Sequence, residues 1–590
     1  MLTVAQVMQR AIAAFQRGEW PEAERWSRIA LKKKNDLFDA LHILGIITAH
    51  TRRPQEASEL LSRAVTANPR DATAHGNLGC VFLELGRSED ALQSFDRAIT
   101  LKPELAEAHN NRGNALRNLK RLAEALQSFE RAIVCKPDSA EAHYNRGYVL
   151  LELRRPAEAL QGFEQAIALK PDYVDAYRNR GNALCDLARP ADALRSYERA
   201  IALNPDSAEA HYNRGNALWN LKRSDEALQS YERAIALKPN YAEAHNNRGV
   251  ALGGLSRPDE ARESYERAIA LKPDYQPAHY NLATCSLLLG DFTRGWQEYE
   301  WRWKRNACEQ WRRDFAQPLW LGELPLKGKT ILLHSEQGLG DTLQFCRYAE
   351  KVAALGAHVV LEVPPPLVRL LANLEGVAQV LPEGGPFPAF DYHCPLLSLP
   401  LAFRTDHHSI PASVPYVRSD PARVAAWHQT LGSGTKPRIG VVWSGSTGFE
   451  YDNYRSMALA DLLPLVCDWA EWITLQKEVC DADRALLASR PEIRHMGDEL
   501  QDFADTAALV ELVDLVLTVD TSVAHLAGAM GKTVWVLLSN PNDWRWLLDR
   551  EDSPWYPTAR LFRQPANGGW TSVISRLGEE LQRQFRAAPC

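Results

Sequence analysis

AEAHNNRGNALRNLKRLAEALQSFERAIVCKPDS, residues 106–139, sets the fold of half of this 590-residue chain. The same pattern returns every 34 residues, marked by a proline ladder from Pro69 to Pro273 and by asparagines at Asn77, Asn111, Asn145, Asn179, Asn213, Asn247 and Asn281. Within the unit, Gly113 and Ala125 are small enough to let two antiparallel helices approach. Phe129 and Ala132 are placed to pack between neighbours, and Pro137 ends the second helix. Taking the proline as the last helix-breaking position gives repeats that begin near Val4, Phe38, Ala72, Ala106, Ala140, Val174, Ala208, Ala242 and Gln276. The first and last are degenerate, as expected of units with one face turned to solvent or to another domain. The last carries GWQEYEWRWKRN, and Trp296, Trp301 and Trp303 in it read as a docking surface for the C-terminal half, or as the core of the last hairpin.

The asparagines lie on the first helix of each unit, the helix expected to line the inner face of a solenoid of stacked hairpins. An amide both donates and accepts, so a row of amides can grip an extended peptide backbone without reading its sequence. The alternative is that each satisfies a neighbouring polar group within the repeats. The in-phase histidines His75, His109, His143, His211, His245 and His279 are expected to be structural, being too far apart to share a metal.

Composition is that of a globular chain, 45% hydrophobic and 24% charged, with a formal net charge of -6. No broad basic surface is implied, which argues against nucleic acid as a partner. No run of about 18 apolar residues occurs, and MLTVAQVMQRAIAAFQRGEW lacks an apolar core with a small-residue cleavage site, so a cytoplasmic protein without a membrane span is expected. The ten cysteines form no CxxC pair, which fits a reducing compartment.

The repeat pattern stops near residue 310. Beyond it KTILLH, AHVVLEV, FDYHCPL, PRIGVVW, EWITLQ, VDLVLTV and TVWVLL read as strands, most with helical segments between them, including one over Thr342–Leu355. That alternation implies parallel sheets, and a polar break at 431–436 divides them in two. The organisation expected is a helical solenoid over 1–310, a first α/β lobe over 311–430 and a second over 431–590. Two loops stand out. Gly338-Leu339-Gly340-Asp341 follows a strand and opens a helix, so Asp341 is either a helix cap or a general base facing a cleft. Asp520, Thr521 and Ser522 sit at a strand-to-helix junction suited to an anion such as a diphosphate, with His525 one turn on. Asp481-Ala482-Asp483 has the form of a metal-binding DxD, but it opens a helix, so capping accounts for it and no metal is expected.

GLGDTLQF together with VDTSVAHLAGAMGKTVWVLL resembles the heptosyltransferase family of GT-B glycosyltransferases. The 34-residue units follow the tetratricopeptide pattern, and with their asparagine ladder they resemble the repeats of protein O-linked N-acetylglucosamine transferases. Together they look like bacterial tetratricopeptide-repeat glycosyltransferases, some of which modify flagellin or other surface proteins. The resemblance implies a tetratricopeptide solenoid followed by a GT-B fold of two Rossmann-like lobes. It implies an inverting, metal-independent transfer from a nucleotide-sugar donor, used as substrate rather than cofactor, to Ser or Thr hydroxyls of a protein held in the repeat groove. Asp341 matches the family's proposed general base. Gly340, Asp520, Thr521, Ser522 and His525 match elements around the donor, Arg455 takes about the place of a lysine that neutralises the leaving phosphates, and Gln476 and Lys477 fall where the nucleotide is contacted. The asparagine ladder would hold the acceptor.

The sequence departs from the heptosyltransferases at Ser522, usually glycine there, and in the segment NPNDWRWLLDREDSPWYP, which puts heptose in doubt. Asp391, His393, Trp443, Trp544 and Arg545 are candidate lining residues, each equally a packing or capping residue. Two other readings stand beside the first: a heptosyltransferase-like enzyme extending a lipopolysaccharide-type glycan, and an interaction scaffold with an inactive transferase domain.

Overall fold

The computed structural model describes residues 2–446, 452–565 and 568–586, and leaves the side chains of residues 306, 307, 453 and 454 undescribed. Residues 447–451, within the segment WSGSTGFEYDNYRSMAL that carries Arg455, lie outside the described residues. The chain forms two compact units, residues 1–239 and 240–590. No helix among the described residues is long and apolar enough to cross a membrane.

The first unit is a run of helical hairpins. First helices begin at Val4, Phe38, Ala72, Ala106, Ala140, Val174 and Ala208, the positions the proline ladder indicates, and each is followed by a second antiparallel helix. The repeat Ala106–Asn118 with Leu122–Cys135 shows why. Phe129 and Ala125 are buried, and a methyl group at Gly113 would lie 2.6 Å from Phe129 Cε1, so only glycine lets the ring lie across the first helix. The same close pairing recurs between Gly79 and Phe95, Gly147 and Phe163, Gly181 and Tyr197, and Gly215 and Tyr231. The turn between the two helices always holds one residue in the left-handed region: Gly18 and Gly86 in some repeats, Lys120, Arg154 and Ala188 in others.

The second unit opens with two more hairpins, Ala242–Gly254 with Pro258–Leu271 and Gln276–Leu288 with Phe292–Tyr299. Two 3₁₀ turns, Glu300–Lys304 and Asn306–Trp311, lead into the α/β part. There the strands are β1 (Thr330–His334), β2 (His358–Val363), β3 (Val377–Pro382), β4 (Tyr392–Pro395), β5 (Arg438–Val442), β6 (Glu471–Thr474), β7 (Ile493–His495), β8 (Leu515–Val519), β9 (Val534–Leu538) and β10 (Ala559–Arg563). They form two sheets in the orders β3-β2-β1-β4 and β10-β9-β8-β5-β6-β7, with every pairing parallel. The fold is therefore a tetratricopeptide-like helical solenoid followed by a two-lobed α/β part, as expected from the sequence. In the second sheet the strand order reverses between β5 and β8, the topological switch point outside which open α/β sheets bind their ligands.

Several details differ from the sequence reading. The helix expected over Thr342–Leu355 is two short helices, Leu339–Phe345 and Tyr348–Ala354, with Arg347 buried at the break and hydrogen-bonded to Gln344 O, Trp555 O and Tyr416 Oη. Strands β3, β7 and β10 are absent from that reading, and each is a sheet edge. Of the tryptophans expected to dock, Trp296 does so: it is 2% exposed, donates to Thr405 O at 3.1 Å and packs edge-on against Trp544 and Trp555. Trp301 instead stacks on His279 within the last repeat at 3.7 Å, and Trp303 lies against the Arg302 guanidinium.

Replacing Gly113 with Ala is expected to destabilise the first unit by about 1–3 kcal/mol through overpacking. The check is a lowered urea midpoint that Phe129→Leu, added to it, partly restores; an unchanged midpoint would mean that the ring can move aside.

Candidate functional site

Two loops, one from each sheet, meet in the second unit. After β1 the chain turns through Gly338 into the helix Leu339–Phe345, and Asp341 Oδ2 accepts the Gly338 N–H at 2.8 Å. Asp341 is thus a helix-capping residue, one of the two roles its loop allows. Its other oxygen, Oδ1, accepts from Arg545 Nη2, which makes it more than a cap. Burial lifts the Asp341 carboxyl above the ordinary carboxylate range, while the Arg545 charge and the Gly338 N–H hold the rise back.

Across from it, β8 runs into the helix Ser522–Ala529. Thr521 is its N-cap, in extended backbone, and Thr521 Oγ1 accepts the Val523 N–H at 3.3 Å. The two helices press together at Gly340, where a methyl group would lie 2.8 Å from His525 Cδ2 and 3.5 Å from Ser522 Cα. His525 is buried, shares a 2.9 Å hydrogen bond between Nδ1 and Tyr556 Oη, and stacks on Trp546. Burial, with Arg545, Arg347 and Arg455 nearby, pushes its pKa well below the ordinary histidine value, so the ring is neutral.

Arg455 reaches the same place from the loop after β5. Its Nη1 donates to Asp520 O at 2.9 Å and its Nε to Asp452 Oδ1 at 2.9 Å. Gly445 makes room for it, since a methyl group there would collide with the guanidinium and with Asp452. Asp520 is half-buried, and desolvation together with the like charge of Asp543 raises its pKa to about 6, against the opposing influence of Trp546, Arg455 and Arg545. The loops at the second sheet's switch point and the Asp341 loop therefore bring Asp341, Gly340, Arg455, Asp520, Thr521, Ser522 and His525 together.

Gln476 and Lys477 are placed differently. Gln476 is buried and its amide is taken up by backbone: Oε1 accepts from Trp443 N and Ser444 N at 3.2 Å each, and Nε2 donates to Ser444 O and Glu478 O. It braces the β5 loop. Lys477 is exposed and donates to Gln501 O at 3.1 Å. Asp483 of the DxD does not cap the helix it opens; it accepts from Trp443 Nε1 at 2.8 Å and from Leu459 N at 3.2 Å. Asp391 ties down Lys329 and Thr330 N, and His393 faces His334, both at the first sheet.

Arg545 is the residue whose role the sequence did not disclose. It lies in the 3₁₀ turn Trp544–Trp546 within the segment that departs from the heptosyltransferases, and besides Asp341 it bonds Gln344 Oε1 at 2.8 Å and Asp543 Oδ1 at 2.9 Å. The only local signal was the density of tryptophan around it. A second buried ion pair supports the Asp341 loop from the repeat end: Arg302 grips Glu336 through Nε and Nη2 at 2.9 and 2.7 Å, and both side chains are essentially unexposed.

The asparagine ladder packs repeat on repeat. Asn145 Nδ2 donates to Asn110 Oδ1, Asn179 to Tyr144 Oη, Asn213 to Asn182 Oδ1 and Asn281 to Asn246 Oδ1, all at 2.9–3.0 Å. Asn77 shares a 3.0 Å hydrogen bond with His42, and Asn111 donates to Cys80 Sγ. Asn145 and Asn179 are buried, whereas Asn77, Asn111, Asn213, Asn247 and Asn281 are half-buried. The histidines are structural as expected: Nε2 of His75, His109, His143, His211 and His279 pairs with the carbonyl of the proline six residues earlier.

Asp520 gives the site a pH dependence. Its carboxyl keeps its proton to about pH 6 in the folded protein but loses it near the ordinary 3.8 when unfolded. The native state therefore binds more protons across that window, and stability falls as pH rises through it. Asp520→Asn should melt higher than the parent protein at pH 7.5, by at most about 3 kcal/mol and less for a half-buried group, and this gain should vanish near pH 3.5. Thermal melts across pH 3.5–7.5 make the check.

Comparison with known proteins bears on the repeats. Tetratricopeptide-repeat family models match residues 49–106, 77–140 and 178–242, residues 140–173 and 242–275, and residues 7–28. Protein FlbA of Caulobacter vibrioides is similar, 28% identical in an alignment of 331 residues that covers 52% of this chain and 55% of FlbA. The chain thus spans about half the length of the curated relative it matches. Among solved structures, YrrB, described as a tetratricopeptide-repeat protein with an unusual peptide-binding site, is 29% identical, with 32% of this chain and 96% of YrrB covered and a TM-score of 0.29. MamA is 24% identical over 27% of this chain and 94% of its own, with a TM-score of 0.26. Pseudomonas aeruginosa pilF is 22% identical over 35% and 94%, with a TM-score of 0.32. The helical part of this chain is a tetratricopeptide-repeat domain.

Proposed function

We propose that this protein is a glycosyltransferase that moves a sugar from a nucleotide-sugar donor to a Ser or Thr hydroxyl of a protein acceptor held by the repeats, with inversion and without a metal. The observation that carries the reading is the convergence of Arg455, Asp520 and the N-terminus of the helix Ser522–Ala529 at the second sheet's switch point, directly opposite the Asp341 loop. A diphosphate suits that helix end because the helix dipole favours an anion there. Arg455 adds a guanidinium fork matched to phosphate oxygens.

In this reaction Asp341 takes the proton from the acceptor hydroxyl as that oxygen attacks the anomeric carbon. The bond from that carbon to the phosphate oxygen breaks, and its electron pair leaves with the nucleoside diphosphate, where Arg455 and the helix at Thr521 stabilise the charge. The Arg545 contact leaves each Asp341 oxygen with a further lone pair, so an oriented carboxylate can still accept the proton. Neutral His525 borders the donor pocket as a hydrogen-bonding partner rather than a charge. Along the repeats, the half-buried amides Asn77, Asn111, Asn213, Asn247 and Asn281 supply peptide contacts, and the buried Asn145 and Asn179 keep the repeats in register.

A thermal-shift screen against UDP, GDP, ADP and CMP tests the donor site, because a ligand bound only by the native state raises its melting temperature. One nucleotide should stabilise selectively, and Arg455→Ala should weaken it roughly 10- to 100-fold. No shift from any of them would favour a scaffold with an inactive transferase domain. Once the donor is known, Asp341→Asn should lower transfer by about 10²–10⁴-fold with nucleotide affinity nearly unchanged; parental rates in that variant would remove Asp341 from the role of base.

A further inference from the structure

Within the first unit, an open concavity of about 630 Å³ is lined by three successive first helices and includes Asn114, Arg117, Tyr144, Tyr148, Tyr173 and Arg178. Its composition breaks the repeat. Where this repeat has Arg117, the others in phase have Phe15, Ala49, Leu83, Leu151, Cys185, Trp219, Gly253 and Leu287. In the phase of Tyr148 the other repeats have Ile12, Ile46, Cys80, Asn114, Asn182, Asn216, Val250 and Thr284. Stacking of the hairpins therefore does not require an arginine or a tyrosine there, and the repeat itself accounts for neither side chain.

The groups are arranged for a ligand. Tyr144 lies 4.9 Å from Tyr173 and 6.3 Å from Tyr148 between ring centroids, which makes a floor of phenol rings. The Arg117 guanidinium sits 5.1 Å over the Tyr148 ring. The other charges at the rim are matched: Arg178 pairs with Asp175 at 2.9 Å, and Glu141 accepts from Asn110 Nδ2 at 3.0 Å. Arg117 has no ion pair among the described residues, and Asn114 Oδ1 is buried with no donor among them. A cation without a carboxylate, a carbonyl oxygen without an N–H and an aromatic floor together describe the complement of a peptide.

We propose that this concavity is a recognition station for an extended peptide in which an acidic residue adjoins an apolar one. The carboxylate pairs with Arg117, the apolar side chain lies on Tyr144 and Tyr173, and a backbone N–H is donated to Asn114 Oδ1. This deepens the acceptor-binding part of the proposed function and rests on that reading only for the nature of the ligand. The test uses neither nucleotide nor transfer, so either proposal can fail without the other.

The full-length protein is titrated into two fluorescein-labelled probe peptides, Gly-Ser-Gly-Phe-Asp-Gly-Thr-Gly-Ser and its counterpart with Asn in place of Asp, and anisotropy is read. The Asp peptide should bind at least tenfold more tightly. Arg117→Leu should bring it down to the level of the Asn peptide, Arg117→Lys should keep a preference for Asp, and Tyr148→Asn should weaken both peptides at least threefold. Leucine and asparagine are what neighbouring repeats already carry at those positions, so both variants should keep the parental helical circular dichroism. Equal binding of the two peptides, binding of neither, or an Asp preference that survives Arg117→Leu would overturn the proposal.

Discussion

Arg545 is the constraint on which the site depends. A guanidinium removed from water is costly unless opposite charge and hydrogen-bond acceptors surround it, and Arg545 finds Asp341, Asp543 and Gln344. Two of those partners belong to the helix that follows β1 of the first sheet, while Arg545 follows β9 of the second. The need to satisfy one buried cation thus fixes the two loops face to face. Removing Asp341 or Gln344 would leave that need unmet, so the acid that the proposed chemistry uses is also the acid that the architecture requires.

The end of the repeats belongs to the same construction. Trp544, next to Arg545, packs edge-on against Trp296 and Tyr299 of the last hairpin, and Gln337 Nε2 donates to Tyr299 Oη at 3.3 Å. Arg302, just beyond that hairpin, holds Glu336 of the loop leading to Asp341 and also bonds Ser398 at 2.7 Å. An aromatic cluster supplies the apolar burial, and an ion pair with its acceptors satisfied supplies the directionality. The last hairpins are consequently part of the wall of the α/β unit rather than an appended element.

The repeats of the first unit show how a periodic sequence carries both uniformity and difference. Glycine under an aromatic ring, a left-handed turn residue and a histidine closing on a proline carbonyl recur because each hairpin must present the same face to the next. Positions free of that demand are where the chain varies, and the tyrosine and arginine cluster around Tyr148 occupies such positions.

The solenoid is legible in the sequence alone, down to the first residue of each first helix, because the contacts that build a hairpin lie within one 34-residue period. The inner strands are legible too, since their burial on both faces demands continuous apolar runs. The edge strands β3, β7 and β10 escape because a strand paired on one side alone need not be apolar throughout. Asp341 and the Asp520–His525 junction stand out as separate motifs, and Arg455 through the family resemblance alone. Their meeting comes from the tertiary structure, as do the packing use of the Asn145 and Asn179 amides and the commitment of Gln476 to the backbone of its own loop. The partnership of Asp341 with Arg545, 204 residues away, leaves no trace in local sequence. It arises because desolvation makes a buried charge seek its complement wherever the fold brings one near, and only the completed fold specifies which residue that is.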